Sequence, residues 1–149
     1  MSITTIKTPI ALIATFVWIG FVCAISFMEA WLKFQAPGIT LALGLGIGRL
    51  VFNALNKVEW ILALAVFFNL LLSRSSLLTF RNSAFFIPLI LLIIQTVWLL
   101  PELDARAIMH IEGREVAPSG LHFYYVAIEA AKVICLTIFG LSQLKTAKS

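Results

Sequence analysis

His122, Tyr125, Glu129 and Lys132 follow one another at spacings of three, four and three. On a helix those spacings place all four side chains on one stripe. An imidazole, a phenol, a carboxyl and an ammonium in one line are able to bind a proton, a polar headgroup or a small molecule, or to close on one another as ion pairs. The stripe runs through Leu121 to Leu141, an apolar segment long enough to cross a bilayer. Ionisable groups at that depth are costly and normally face a protein interior or a water-filled cavity. Glu129 lies near the middle of the segment, so Lys132, Arg49 or a bound proton is expected to neutralise it.

Further polar residues interrupt the other apolar segments. Glu29 and Lys33 stand at i,i+4, the favourable order for a helical ion pair. Either this pair marks the exit of a first span from the bilayer, or Glu29 turns inward. Arg49, Asn53, Asn56, Lys57 and Glu59 crowd together, and Glu102, Asp104 and Arg106 sit in a later polar stretch. Three readings follow for the set Glu29, Arg49, Asn53, Asn56, Glu59, His122, Tyr125, Glu129 and Lys132. In the first, the charges pair and only fix helix register. In the second, they line a cavity for a small molecule, lipid headgroup or proton. In the third, Glu29, Glu59, His122 and Glu129 bind a metal, since imidazole and carboxylate suit zinc or iron. The chain has no His-Glu-x-x-His, no Glu-x-x-His and no close ligand pair, so neither a metal nor a cofactor is specified. No residue is assigned a catalytic role. No Ser-His-Asp order, phosphate loop or heptad repeat is present.

The elements that must position these groups are membrane helices. Of 149 residues, 61% are hydrophobic and 12% charged, with a mean hydropathy of +1.02. A soluble domain is about half apolar and a quarter charged, so the composition is that of a polytopic membrane protein, read as one integral membrane domain over 1–149. The net charge of +4 comes from scattered basic residues, which excludes a nucleic-acid surface and leaves them as topology determinants. The expected partners are the lipid bilayer and either a small-molecule ligand or another membrane protein. Cys23 and Cys135 lie inside apolar runs and read as packing thiols.

The fold expected is all-α, a four-helix membrane bundle with spans at about 9–34, 57–73, 84–100 and 121–141. Pro9 suits a helix start, and Ile10 to Met28 is read as a retained first span rather than a cleaved signal. Gln35-Ala36-Pro37-Gly38 breaks the helix. Ile39 to Phe52 is short for a span, so a short re-entrant or interfacial helix is expected at about 38–55. The alternative is one long helix over 39–72. Gly44 and Gly48 form a Gly-x-x-x-Gly, a close-packing device of membrane helices. Trp60 and Trp98 read as interfacial anchors. Pro101 to Gly120 is the longest polar stretch, with a short helix expected at 105–111 ended by Gly113. Four spans put both termini and the 73–83 loop on one side. That side carries Lys7, Arg74, Arg81, Lys145 and Lys148 and no acid, which points to cytoplasmic termini.

Gly48-Arg49-Leu50-Val51-Phe52 and Leu55-Asn56-Lys57-Val58-Glu59-Trp60, with Pro37 before them and Leu121-His122 opening the last span, resemble the DUF4149/TMEM205-like small membrane proteins. The resemblance spans about 35–75 and 120–140. It implies a four-helix membrane fold and brings no established reaction. Asn56-x-x-Glu59 is also similar to the second-span signature of the MAPEG family of glutathione-dependent membrane enzymes. The arginine cluster and following proline of that signature are missing here. The class of the protein therefore stays open between a ligand-binding membrane protein, a structural or partner-binding subunit, and a MAPEG-like enzyme; trimerisation and thioether formation with glutathione are the marks of the last.

Overall fold

Runs of Leu, Ile, Val, Phe and Ala too long and too uniformly apolar for a soluble core form the helices of the computed structural model, which describes residues 7–73 and 79–144. Four helices are long and apolar enough to span a membrane: α1 (Pro9–Gln35), α2 (Leu41–Leu72), α3 (Arg81–Ile111) and α4 (Leu121–Leu144). Among the described residues all regular structure is helical. About a third of each apolar window is buried inside the protein. The outward side chains include Ile13, Leu50, Leu72, Val97 and Phe123, all exposed. Such a surface is compatible with an integral membrane protein, because lipid tails solvate apolar side chains without penalty.

Local chemistry sets the helix ends. Pro9 opens α1, where a missing amide is harmless. The side-chain carbonyl of Asn69 on α2 accepts from the Ala11 amide at 2.9 Å, satisfying one donor of that first turn. Gly38, at φ 81°, makes the turn after α1, and the Thr40 hydroxyl caps α2 by accepting from the Leu43 amide at 3.2 Å. Gly113, at φ 73°, stops α3 where the sequence places the stop.

Two features of the helices differ from the sequence reading. The short separate helix expected at 38–55 is not seen; Leu41–Leu72 is one unbroken helix of 32 residues, the alternative considered above. Its polar residues are tolerated because each has an outlet: Arg49 bonds Asp104, Asn53 is exposed and donates to the Arg49 carbonyl, and Lys57 is exposed. At ~48 Å it exceeds the ~30 Å hydrocarbon layer and must tilt or emerge. Second, α3 continues through Pro101 instead of ending at Leu100. The proline removes the amide that would bond the Val97 carbonyl, and a π-helical segment, Gln95–Leu99, immediately precedes it. A second π segment, Cys23–Glu29, lies in α1.

Helix α1 packs on α2 and α4, and α2 on the second half of α3. Thr8 donates to Gln143 at 3.0 Å, so the described ends of α1 and α4 meet at one end of the bundle. Next to that end lies an apolar core that includes Ala11, Trp18, Val66, Leu70, Leu92 and Phe139. The opposite half holds a partly open cavity of about 260 Å³ between Lys33, Gly48, Phe52, Leu103, His122 and Tyr125, among others. Between core and cavity sits a belt of buried polar groups. Cys23 and Cys135 are free and half-buried, not fully buried. The termini's orientation rests on Arg74, Lys145 and Lys148, which lie outside the described residues, and on Lys7 and Arg81.

Candidate functional site: a buried carboxyl–ammonium cluster

The belt is built from one or two residues of each helix. Glu59 of α2, Gln95 of α3, and Glu129 and Lys132 of α4 are essentially inaccessible, as is Trp18 of α1. Their register follows from helical spacing. Glu129 and Lys132 share a face at i,i+3, and that face turns inward along Tyr125, Leu136, Phe139 and Gln143. Glu59 lies on the buried row Leu55, Ala63, Val66, Leu70.

The Lys132 ammonium is the hub. It donates to Glu59 Oε1 and, at 2.5 Å, to Gln95 Oε1. It lies 3.5 Å from Glu129 Oε1 and 3.4 Å from Glu129 Oε2. All three N–H donors thus have acceptors. Trp18 Nε1 donates to Glu59 Oε1 at 2.7 Å, and Gln95 Nε2 donates to Glu129 Oε1 at 3.0 Å. Glu59 Oε2 and Glu129 Oε2 are buried without a hydrogen-bond partner in the protein; Lys132 approaches the latter at ion-pair range only. The Tyr125 hydroxyl, one turn from Glu129, comes close enough to interact with its carboxyl without forming a regular hydrogen bond. Tyr125 also lines the cavity and stacks edge-on against Phe52 at 5.3 Å. It therefore separates the cavity from the cluster.

The residues expected from the sequence divide into three groups. Glu59, Tyr125, Glu129 and Lys132 converge. Asn56 is buried one turn from Glu59 but donates to Thr96 Oγ1 at 2.9 Å, which also accepts from Trp60 at 3.0 Å. Trp60 is accordingly engaged between α2 and α3 rather than free as an interfacial anchor. Arg49 forms a two-pronged pair with Asp104 at 2.6 and 3.0 Å and is no partner of Glu129. Glu29 pairs with Lys33 at 3.2 Å. Arg49, Asn53 and His122 line the cavity, and His122 and Asn53 are exposed.

The stripe on α4 thus breaks at its first member, since His122 lies outside the buried row. Among the described residues no group of three or more His, Cys, Asp or Glu is placed to hold a metal, and Glu29, Glu59, His122 and Glu129 do not converge. Asn56 and Glu59 face different partners and neither lines the cavity.

Trp18 and Gln95 were not anticipated. Gln95 had a signal: with Thr96 it interrupts an otherwise apolar stretch from Ala84 to Leu100. A buried amide in such a stretch needs partners. Trp18 gives no such sign, because a tryptophan amid apolar residues reads as packing. Chemically, the one ammonium can balance the charge of one of the two carboxylates, and each carboxyl keeps one oxygen without a hydrogen-bond donor. Comparison with protein-family models, with curated proteins and with solved structures finds no match for this chain.

Proposed function

We propose that the protein is a four-span integral membrane protein whose buried cluster binds a proton at Glu129. One observation carries the reading: two fully buried carboxyls share one buried ammonium. With all three ionised, the cluster holds a net negative charge at membrane depth. A single charge there costs ~2.5–3.5 kcal/mol even on insertion scales. One proton removes it. Lys132 is hydrogen-bonded to Glu59 and stands farther from Glu129, so Glu59 is the ion-pair partner and Glu129 the acid. The groups facing Glu129 are Tyr125 on its own helix, Lys132, and Glu59 from α2; α1 and α3 contribute only the non-titrating Trp18 and Gln95.

The test is infrared spectroscopy of the protein in liposomes, following the C=O stretch of protonated carboxyls. A band present at neutral pH, absent in Glu129→Gln, and lost at alkaline pH while the helices persist is the expected result. Absence of that band from the parent at neutral pH overturns the proposal.

A second reading has its own support. Every helix contributes to the cluster, so its members also fix the register of all four. In that reading Glu129 is a permanent acid, and its band stays unchanged across the whole range in which the protein is folded. On the residues given above we also propose kinship with the DUF4149/TMEM205-like proteins and cytoplasmic termini.

A further inference from the structure

The cavity beyond Tyr125 has a composition that the cluster does not explain. Its walls are mostly apolar, with Phe34, Phe52 and Leu103 prominent. Pockets of that kind hold small molecules by apolar contact and orient them by a few polar groups. The charged wall residues are Lys33, Arg49 and Asp104, an excess of one cation.

Both cations have donors to spare. Lys33 carries three N–H groups and bonds Glu29 Oε2 at 3.2 Å; Glu29 itself is not part of the wall. Arg49 carries five and uses its Nε and Nη2 on Asp104. The Lys33 side chain is only 10% exposed, and its ammonium lies 5.5 Å from the ring centroids of both Phe34 and Phe52. That contact holds the charge at the apolar wall rather than in bulk water. The space is kept open by a glycine: a Cβ on Gly48 would stand 3.3 Å from Lys33 Nζ. The cavity is also bounded by the ends of α1 and α3 and the starts of α2 and α4, so it lies toward one end of the bundle.

We propose that this cavity binds a single-chain amphiphile with an anionic head, the head at Lys33 and Arg49 and the chain against Phe34, Phe52 and Leu103. A free fatty carboxylate and a single-chain phospholipid share that chemistry. Lys33 is the residue that selects the anion.

Decanoate, decanol, acetate and a lysophosphatidate are titrated against the full-length protein in a non-ionic detergent, and binding is read by native mass spectrometry and isothermal calorimetry. Decanoate is expected to bind roughly tenfold tighter than decanol, the worth of one charge-assisted hydrogen bond. Acetate is expected not to bind. Lysophosphatidate binding tighter than decanoate identifies a membrane lipid as the occupant, and the reverse order identifies a free acid. Lys33→Met should bring decanoate down to the decanol level. Glu29→Gln frees Lys33 from its acid at a partly exposed position and should tighten decanoate binding, so the two variants move in opposite directions. Equal affinity for decanoate and decanol overturns the proposal. So does acetate binding as tightly as decanoate, or a Glu29→Gln variant no tighter than the parent.

Discussion

At the scale of single residues, the cluster makes Lys132 the least replaceable side chain. Lys132→Met would strand two buried carboxyls, and removing one member of a buried pair typically costs roughly 3–5 kcal/mol. Glu129→Gln should be mild by comparison, because an amide keeps the shape and can still accept from Gln95 Nε2. Glu59→Gln combined with Lys132→Met should recover at least ~1 kcal/mol relative to the sum of the single losses, since the second change removes the charge the first leaves unpaired. Thermal melting in detergent measures the parent, the three single variants and the double variant. Strictly additive losses would show that Glu59 and Lys132 are not coupled. The α4 half of this cluster was legible in the sequence because Glu129 and Lys132 are three residues apart and any helix unites them. The other half was not. Trp18, Glu59 and Gln95 are brought to it by helix–helix packing across long stretches of chain, and no local spacing encodes that. His122 shows the converse: helical periodicity put it on the stripe, but at that level the stripe opens onto the cavity wall and the side chain is exposed.

At the scale of elements, the glycines of α2 differ in how closely they are approached. A Cβ on Gly44 would fall 2.1 Å from the Phe34 ring, whereas one on Gly46 would come no closer than 4.0 Å to Ile111. Gly44→Leu should therefore force the ring aside and loosen the junction of α1 and α2, at about 1–3 kcal/mol as for other overpacked sites. Gly46→Leu, in the same helix and with the same change of propensity, should cost less. Comparable melting of the two variants would place Phe34 away from α2. The Gly-x-x-x-Gly spacing was readable as a packing device, and the structure supplies its counterpart: the end of α1, through Phe34 and Lys33, rather than a second glycine-lined helix. The continuity of α2 was harder to read. Arg49, Asn53 and Lys57 look prohibitive in a span until Asp104, an exposed flank and solvent are available to receive them.

At the scale of the whole molecule, the bundle is graded along its axis, with an apolar core at one end, the polar belt in the middle and the amphipathic cavity at the other. The hydrogen bond between Thr8 and Gln143 puts the described ends of α1 and α4 together, and the 112–120 connection belongs to the cavity end. Reporter domains fused at the C-terminus and inserted near 115 should accordingly report opposite compartments, with the C-terminal one cytoplasmic. A C-terminal reporter active only outside the cytoplasm would reverse the orientation; both reporters on one side would contradict four spans. Composition made the membrane class readable, and the apolar runs with the polar breaks between them gave the number of spans. The gradient was not readable, because it depends on which residues of each apolar segment face inward, and helix–helix packing decides that.

The two π segments bear on how this chain tolerates changes in its length. The inward residues of α1 advance as Ala14, Trp18, Val22, Ser26 and Ala30, four at every step. An ordinary helix turns about 400° in four residues, so such a row would drift by about 40° each time. The wider turn at Cys23–Glu29 absorbs that drift and keeps Ala30 and Lys33 on the wall of the cavity. Deleting one residue there would restore normal pitch and leave both within about 20° of their present direction, whereas deleting one from the ordinary helix before it would swing both by about 100°. The core half and the cavity half of the molecule are thus phased independently, and the joint between them is a single residue wide.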